Sequence, residues 1–476
     1  MPAQRPTWLV GLLAAVAAAH GQDAPFSVRD AVLAARRSHP ALRAARARGD
    51  AAIAAIRLAR VAYIPKTDLH LQEVRGTRNN LSGLSLPQPV FPQISGAVLP
   101  GSSGVSRWDS GVGVLLNWEP FDFGWRRART DVAVAEARQT EAGVDTTLLD
   151  LESTAAEAFL AGLADDQIVR ASRAGVERMQ VFARTVRQLA DSELRAGADA
   201  ARAEAELARA RTQLAQAEQA AAVAREVLAE AVGAERPPAA LAAGPLLEPP
   251  AALPEAPAPG AITDHPLVRA QAAAVATAHA RQHLVETSAM PHVNLVASLS
   301  SRGSGFQPDG QPDPDSDRGL VPTVPNWAVG AELTVPLHER YERRERRRVE
   351  AGQARAEQAR LEEVALAVGS QQRRAQALLT GARRVAAEAA VQLTSAQTAQ
   401  AQARSRYDQG LNTVSDVAEA ELLLARAEAD DAVACLGVWR GLLAVARAGG
   451  SIDGWVARAA GAPVPAADIH PVIKDY

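Results

Sequence analysis

Between Gly124 and Gly233 the apolar positions recur at three- and four-residue steps. Leu148, Leu151, Ala155, Phe159 and Leu163 mark one narrow stripe along a helix. The stripe is mostly Ala, Leu and Val, which lets helices approach closely. The same pattern returns between Leu337 and Gly450. Each stretch breaks once, at Arg195-Ala196-Gly197 and at Asp408-Gln409-Gly410, so each predicts a long helical hairpin with Gly197 or Gly410 in its tip turn. No proline interrupts Gly124 to Arg195 or His338 to Asp408, so at about 1.5 Å per residue each descending helix is on the order of 100 Å long. Frequent Arg, Glu, Asp and Gln exclude a membrane-spanning helix and leave a coiled coil.

Upstream of the first hairpin, Ser27 to Ala62 predicts a helix that breaks and restarts at Ser38-His39-Pro40-Ala41-Leu42 and ends at Pro65. The same grammar returns at Asp264-His265-Pro266-Leu267 and ends at Pro291. Pro40 and Pro266, and Pro65 and Pro291, are separated by the same 226 positions, so the chain is built twice.

After each terminal proline the period changes to two. Leu69 and Leu71 alternate with Asp68, His70 and Gln72, and Val112, Val114, Leu116 and Trp118 alternate with Gly111, Gly113, Leu115 and Asn117. In the second copy Val293, Leu295, Ala297 and Leu299, and then Trp327, Val329, Ala331, Leu333 and Val335, do the same. Runs of about nine or ten residues suit tilted strands of a membrane β-barrel, apolar outward and polar inward. Trp118 and Trp327 are expected near opposite membrane interfaces as anchors. Gly/Ser/Pro/Asp-rich stretches, Gly76 to Arg107 and Ser301 to Pro325, read as long extracellular loops. Four strands cannot close a barrel, and an open edge in lipid leaves backbone amides unpaired at several kcal/mol each. Several chains must therefore share one barrel; three chains give twelve strands and an open lumen.

Composition narrows the function classes. Of 476 residues 47% are hydrophobic and 22% charged, and the net charge is −3, which excludes a disordered chain and a polybasic nucleic-acid binder. Cys435 is the only cysteine, so an intramolecular disulfide or cysteine metal cluster is excluded. Residues 1–21 fit a secretory signal peptide, with Arg5 in the charged region and Trp8 to Ala19 as the apolar core. No Walker A loop, His-Glu-x-x-His, Cys-x-x-Cys or Gly-x-Ser-x-Gly motif occurs, so neither an enzyme nor a cofactor or metal site is expected.

The order of these elements resembles the TolC-like outer-membrane factor (outer membrane efflux protein) family. The resemblance covers nearly the whole chain after the signal peptide. It rests on the two His-Pro helix starts, on Trp118-Glu119-Pro120-Phe121-Asp122-Phe123-Gly124 at the step from strand to helix, and on Tyr407-Asp408-Gln409-Gly410-Leu411-Asn412-Thr413-Val414-Ser415-Asp416-Val417. It implies a mainly α fold with membrane β: duplicated long α-helical coiled-coil hairpins, plus four β-strands contributed to a shared 12-stranded trimeric transmembrane barrel. The implied role is the passive outer-membrane duct of a tripartite efflux pump in a Gram-negative bacterium, exporting drugs, toxic compounds or metal ions. Its implied partners are a homotrimer, a periplasmic adaptor (membrane fusion protein), an inner-membrane transporter and outer-membrane lipid. A type I protein-secretion duct is the alternative within that class, and a periplasmic coiled-coil adaptor or scaffold the alternative outside it.

On that resemblance Asp416 and Glu419, one helical turn apart, match the acidic rings that narrow the periplasmic entrance, and three copies gather six carboxylates around the axis. The bland reading of the same two residues is a cap and a solvated face at a helix start. Tyr407 matches a tyrosine that latches the closed tip. Two departures stand out. Asn412 replaces an arginine of some relatives, and the shorter first turn places Ala201 where Asp416 would match, leaving Asp199 or Glu204 to substitute as partner of Tyr407. Arginines at the start of each long helix, Arg126, Arg127 and Arg129 and then Arg340, Arg343, Arg344, Arg346, Arg347 and Arg348, oppose the helix dipole and need a partner. That partner is either anionic headgroups or the neighbouring Glu342, Glu345 and Glu350.

The expected organisation is thus a signal peptide (1–21), a first repeat (22–233) with strand pair 68–118 and hairpin 120–233, and a Pro/Ala connector (234–262). A second repeat (263–450) follows, with strand pair 292–336 and hairpin 337–450, and then a tail (451–476) to which no role is assigned.

Overall fold

The computed structural model describes residues 25–80, 104–193, 196–250, 262–307, 311–337 and 339–461. The expected signal peptide, Arg195, most of the first long loop, part of the connector and the end of the tail lie outside them. The chain divides into two compact units, one of residues 48–140, 271–361 and 471–476, the other of residues 1–47, 141–270 and 362–470.

The first of these holds the sheet. Strands β1 (Lys66–Thr77), β2 (Ser106–Phe121), β3 (His292–Ser304) and β4 (Val324–Thr334) pair antiparallel in the order β1-β2-β3-β4. The register sets Leu69, Val114, Leu299 and Trp327 in one row across all four strands, and Thr67, Leu116, Ala297 and Val329 in the next row on that face. Leu69, Leu299, Trp327 and Val329 are 65–79% exposed, an apolar face with no cover among the described residues. The opposite face carries His70, Gly113, Ser300 and Asn326 in its corresponding row. The strands therefore alternate as expected, apolar on one face and polar on the other. The two anchor tryptophans do not sit at opposite ends. Trp118 pairs with Leu295 and Trp327 with Leu299, four residues along β3 and so about 13 Å apart. Trp108, ten residues before Trp118 on β2 and facing the same way, lies about 33 Å from it and stacks under Arg75.

Below the sheet, β2 bulges between Trp118 and Phe121, where Pro120 cannot donate to the ladder. Asp122 then caps the next helix, accepting from the amides of Gly124 (3.1 Å) and Arg126 (2.6 Å) and from Arg126 Nε (2.8 Å). Arg126 is 3% exposed, donates to the Ala62 carbonyl at 3.2 Å and stacks on Tyr63 at 4.8 Å. It is a structural residue of this junction, and faces no headgroup.

The helical unit is built on the hairpins. Helix α3 (Trp125–Asp191) has 67 residues and α6 (Glu339–Asp408) has 70, each on the order of 100 Å long. Their return helices α4 (Gly197–Val232) and α7 (Val414–Ala448) have 36 and 35 residues. Each repeat also has a 22-residue helix, α2 (Pro40–Val61) or α5 (Pro266–Thr287), and within the unit that holds the sheet Ile56 and Ala59 of α2 pack on Ala133 and Ala137 of α3. Gly197 is the first residue of α4, so it does not form the first tip turn; among the described turn residues Glu193 adopts the left-handed conformation, φ 58°.

Both repeats close in one way. Each return helix ends in a glycine with positive φ, Gly233 (71°) or Gly450 (92°), whose neighbours satisfy the last carbonyls. A Cβ on Gly233 would lie 3.0 Å from His39 Cα, and one on Gly450 would lie 2.9 Å from Pro266 Cδ. The His-Pro steps thus lock onto the hairpin ends. His39 Nδ1 accepts from the Ala41 amide and His265 Nδ1 from the Leu267 amide, both at 3.2 Å. Because the Leu267 amide can only donate and the Arg447 carbonyl can only accept, His265 is the neutral ring with its proton on Nε2, 3.3 Å from that carbonyl.

The core of this unit joins α1 (Val28–Ser38), α3, α7 and the connector through Phe159, Leu160, Leu241, Leu246, Leu436 and Leu442. The tail, to which the sequence assigns no role, contributes as well. Helix α8 (Asp453–Ala460) buries Trp455, which donates to the Trp439 carbonyl at 3.0 Å and stands edge-on to its ring. Asp453 of α8 and Glu152 of α3 both pair with the buried Arg36 of α1, Glu152 at 2.5 Å.

Gly450→Ala combines left-handed strain of about 1–2 kcal/mol with the Pro266 contact, so it is expected to lower the melting temperature more than Gly437→Ala, where no atom stands in the way. A pH series provides a second test. Burial pushes His265 below the ordinary histidine value, against the raising effects of the Arg447 carbonyl and Asp150. The folded state then binds fewer protons than the unfolded state, so its contribution is complete above about pH 6.5 and is lost as pH falls below that value. Acidification to about pH 5 is expected to lower the melting temperature of the native protein more than that of His265→Asn, whose amide oxygen still accepts from Leu267.

Candidate functional site

The tip of the second hairpin is assembled by its two helix caps. Helix α6 ends in a Schellman motif, the Gly410 amide bonding to the Tyr407 carbonyl and the Leu411 amide to the Arg406 carbonyl, both at 2.9 Å, with Gly410 at φ 76°. Three residues later Thr413 opens α7 with a capping box. Its amide donates to Asp416 Oδ2 at 2.7 Å and the Asp416 amide returns to its hydroxyl at 3.3 Å. Asp416 is fully exposed, and the hydrogen bonds from the Thr413 amide and hydroxyl, with Arg406 nearby, hold its carboxyl below the usual carboxylate value. Glu419 is also exposed, three residues on along the same face, and forms no ion pair among the described residues.

The opposite face of α7 is buried. Val414, Val417 and Ala418 pack with Tyr407 against Phe182 and Val186 of α3 and Leu207 of α4. Tyr407 is 3% exposed, and its ring meets Phe182 edge-on at 5.1 Å and 70°. The structure thus brings Tyr407 to the first hairpin through an aromatic contact, while Glu204 pairs instead with Arg187 at 3.4 Å. Asp199 sits in the first turn of α4.

One buried group went unnoticed in the sequence. Glu421 is 2% exposed, accepts from Arg178 Nε of α3 at 3.0 Å and from Gln400 Nε2 of α6 at 2.6 Å, and Arg178 reaches on to Glu428 at 3.0 Å. Val414, Val417, Ala418, Glu421 and Leu424 are all buried and follow helical spacing, so a carboxylate occupies a position of the apolar stripe. That misplaced charge was the available signal. It ties α3, α6 and α7 just behind the acidic face of the tip. Among the described residues no group of three or more His, Cys, Asp or Glu side chains is arranged to hold a metal ion.

Glu421→Ala removes the partner of Gln400 and one of the two carboxylates of Arg178, and is expected to cost about 1–3 kcal/mol. Faster amide hydrogen exchange through Val414–Leu424 would report it; unchanged exchange would mean that the apolar packing alone holds the tip.

No curated protein sequence matches the chain. Among solved structures, the outer-membrane channel OprN superposes with TM-score 0.69 at 21% identity, over 90% of this chain and 90% of its own. The CmeC outer membrane channel of Campylobacter jejuni gives 0.71 at 15% identity over 89% and 85%, and the MtrE outer membrane channel of Neisseria gonorrhoeae, in its open state, 0.69 at 18% over 89% of each. These likenesses establish the fold. A family model described as outer membrane efflux protein matches residues 32–234 and 259–440, most of the chain and both repeats, and the chain belongs to that family.

Proposed function

We infer that three copies of the chain form a passive outer-membrane duct, the exit channel of a tripartite efflux pump that exports small molecules. The observation that carries this reading is the sheet. Strands β1 and β4 are its two edges and pair with no other strand among the described residues, while its apolar face is exposed. In lipid each unpaired backbone group costs several kcal/mol, so β4 of one copy must meet β1 of the next. Three copies close twelve strands, with the row of His70, Gly113, Ser300 and Asn326 facing the lumen. Trp118 anchors the periplasmic side of the apolar band and Trp108 the outer side, with Trp327 inside the band. Energy comes from partners, an inner-membrane transporter and a periplasmic adaptor. A soluble coiled-coil scaffold would have no use for an uncovered apolar sheet.

At the periplasmic entrance, three copies of Asp416 and Glu419 form two acidic rings, and Tyr407 anchors the tip that carries them. The capping box keeps Asp416 ionised and in one rotamer, so its ring favours cations. Purified from outer membranes in detergent, the protein should run as a heat-sensitive trimer and conduct in planar bilayers with cation preference. Asp416→Asn combined with Glu419→Gln should reduce that preference severalfold while leaving the trimer intact. A soluble monomer would overturn the duct; unchanged selectivity in the variant would remove the rings from it.

A further inference from the structure

The second repeat carries a denser basic cluster than the first. Aligned on Pro120 and Pro336, the first repeat has Arg127, Ala128 and Asp131 where the second has Arg343, Arg344 and Arg347. The first long helix starts without guanidiniums at the last two positions, so the fold does not demand Arg344 and Arg347.

Local carboxylates neutralise only part of the cluster. Arg346 pairs with Glu342 at 2.5 Å, Arg348 with Glu345 at 2.8 Å and Arg347 with Glu286 at 3.2 Å. Arg343 donates to the Glu286 backbone carbonyl at 3.4 Å, and Arg344 has no ion pair among the described residues. Arg343, Arg344 and Arg347 line one open pocket with Glu286, so their three charges face a single carboxylate. Cations in the first turns of α6 also oppose the helix dipole, and an anion in the pocket would relieve both repulsions.

Position relative to the sheet selects among anions. Helix α6 begins at Glu339, five residues after β4 ends at Thr334, and Arg343 and Arg344 lie four and five residues further, beyond the end of the sheet at which Trp118 lies. Leu337 and Tyr341, 66% and 78% exposed, present apolar and aromatic surface at the same level, as interfacial residues do. Arginine forks match the paired oxygens of a phosphate.

We propose that Arg343, Arg344 and Arg347 form a site for the phosphate of an anionic phospholipid in the periplasmic leaflet, an assignment that rests on the sheet spanning the membrane. The full-length trimer in detergent is titrated with short-chain phosphatidylglycerol, phosphatidylcholine and inorganic phosphate, and bound molecules are counted by native mass spectrometry. Arg343→Gln with Arg344→Gln should weaken phosphatidylglycerol binding by about fivefold per arginine removed and leave phosphatidylcholine unchanged. Equal phosphatidylglycerol affinity in the native and variant trimers overturns the site, as does native binding of phosphatidylcholine equally well. Inorganic phosphate bound as tightly as the lipid would make this a free-anion site and overturn the lipid assignment. The variant's heat-sensitive trimer tests the barrel separately: if it forms while the lipid result fails, the duct stands without the site. If the native protein is absent from the membrane fraction, both readings fall together.

Discussion

The hydrogen bonds that this chain cannot make by itself govern its architecture. A four-stranded sheet has two rows of unsatisfied amides and carbonyls along β1 and β4, tolerable in water and prohibitive in hydrocarbon. The exposed row of Leu69, Leu299 and Trp327 makes water equally unattractive for the outer face. Only an environment that supplies both lipid for the face and another copy for the edges satisfies the sheet. Each copy also carries two long hairpins, and each must be closed at its own end.

Duplication supplies the same closure twice. The His-Pro step starts the short helix of each repeat and seats against the glycine that ends the hairpin of the same repeat, His39-Pro40 on Gly233 and His265-Pro266 on Gly450. The ring nitrogen caps the new helix while the missing side chain of the glycine admits it. A proline alone would kink the chain without fixing where the kink docks. The buried charges do different work. Arg36 draws α1, α3 and α8 together, and Arg178 and Glu421 join α3 to α7, in a protein whose helix faces are mostly alanine and offer little shape to set register. A buried ion pair contributes little net stability compared with apolar packing, but it heavily penalises any register that separates its partners.

What the sequence revealed follows the range of the interaction. The hairpins and strands were legible because each is a local period, three to four residues or two, repeated over a long stretch. The copy number was legible because both proline pairs share one offset of 226 positions. Features that depend on a distant partner were not. Trp455 sits in a short, weakly patterned tail and gains its meaning only from Trp439. Arg126 read as one of a set of exposed arginines until Asp122 and Tyr63 enclosed it. Glu421 broke the stripe of α7 in plain view, yet a single polar residue in a long amphipathic helix carries no sign of which helix will supply its arginine. The belt tryptophans failed for a related reason: depth in the membrane is set by cross-strand register, and pairing Leu295 with Trp118 and Leu299 with Trp327 was not written in either strand alone.

At the tip, two readings of Asp416 turn out to be compatible. A carboxylate in a capping box is a structural group, satisfied by the Thr413 amide and hydroxyl, whereas a ring carboxylate must keep charge for the solution in front of it. A carboxylate has about four acceptor sites, and the box uses only one of its oxygens, Oδ2. The other oxygen stays free on an exposed surface. Capping therefore removes the rotamer freedom that would blur a ring of long acidic side chains, and its amide and hydroxyl donors favour the ionised form as crowding by neighbouring carboxylates would disfavour it.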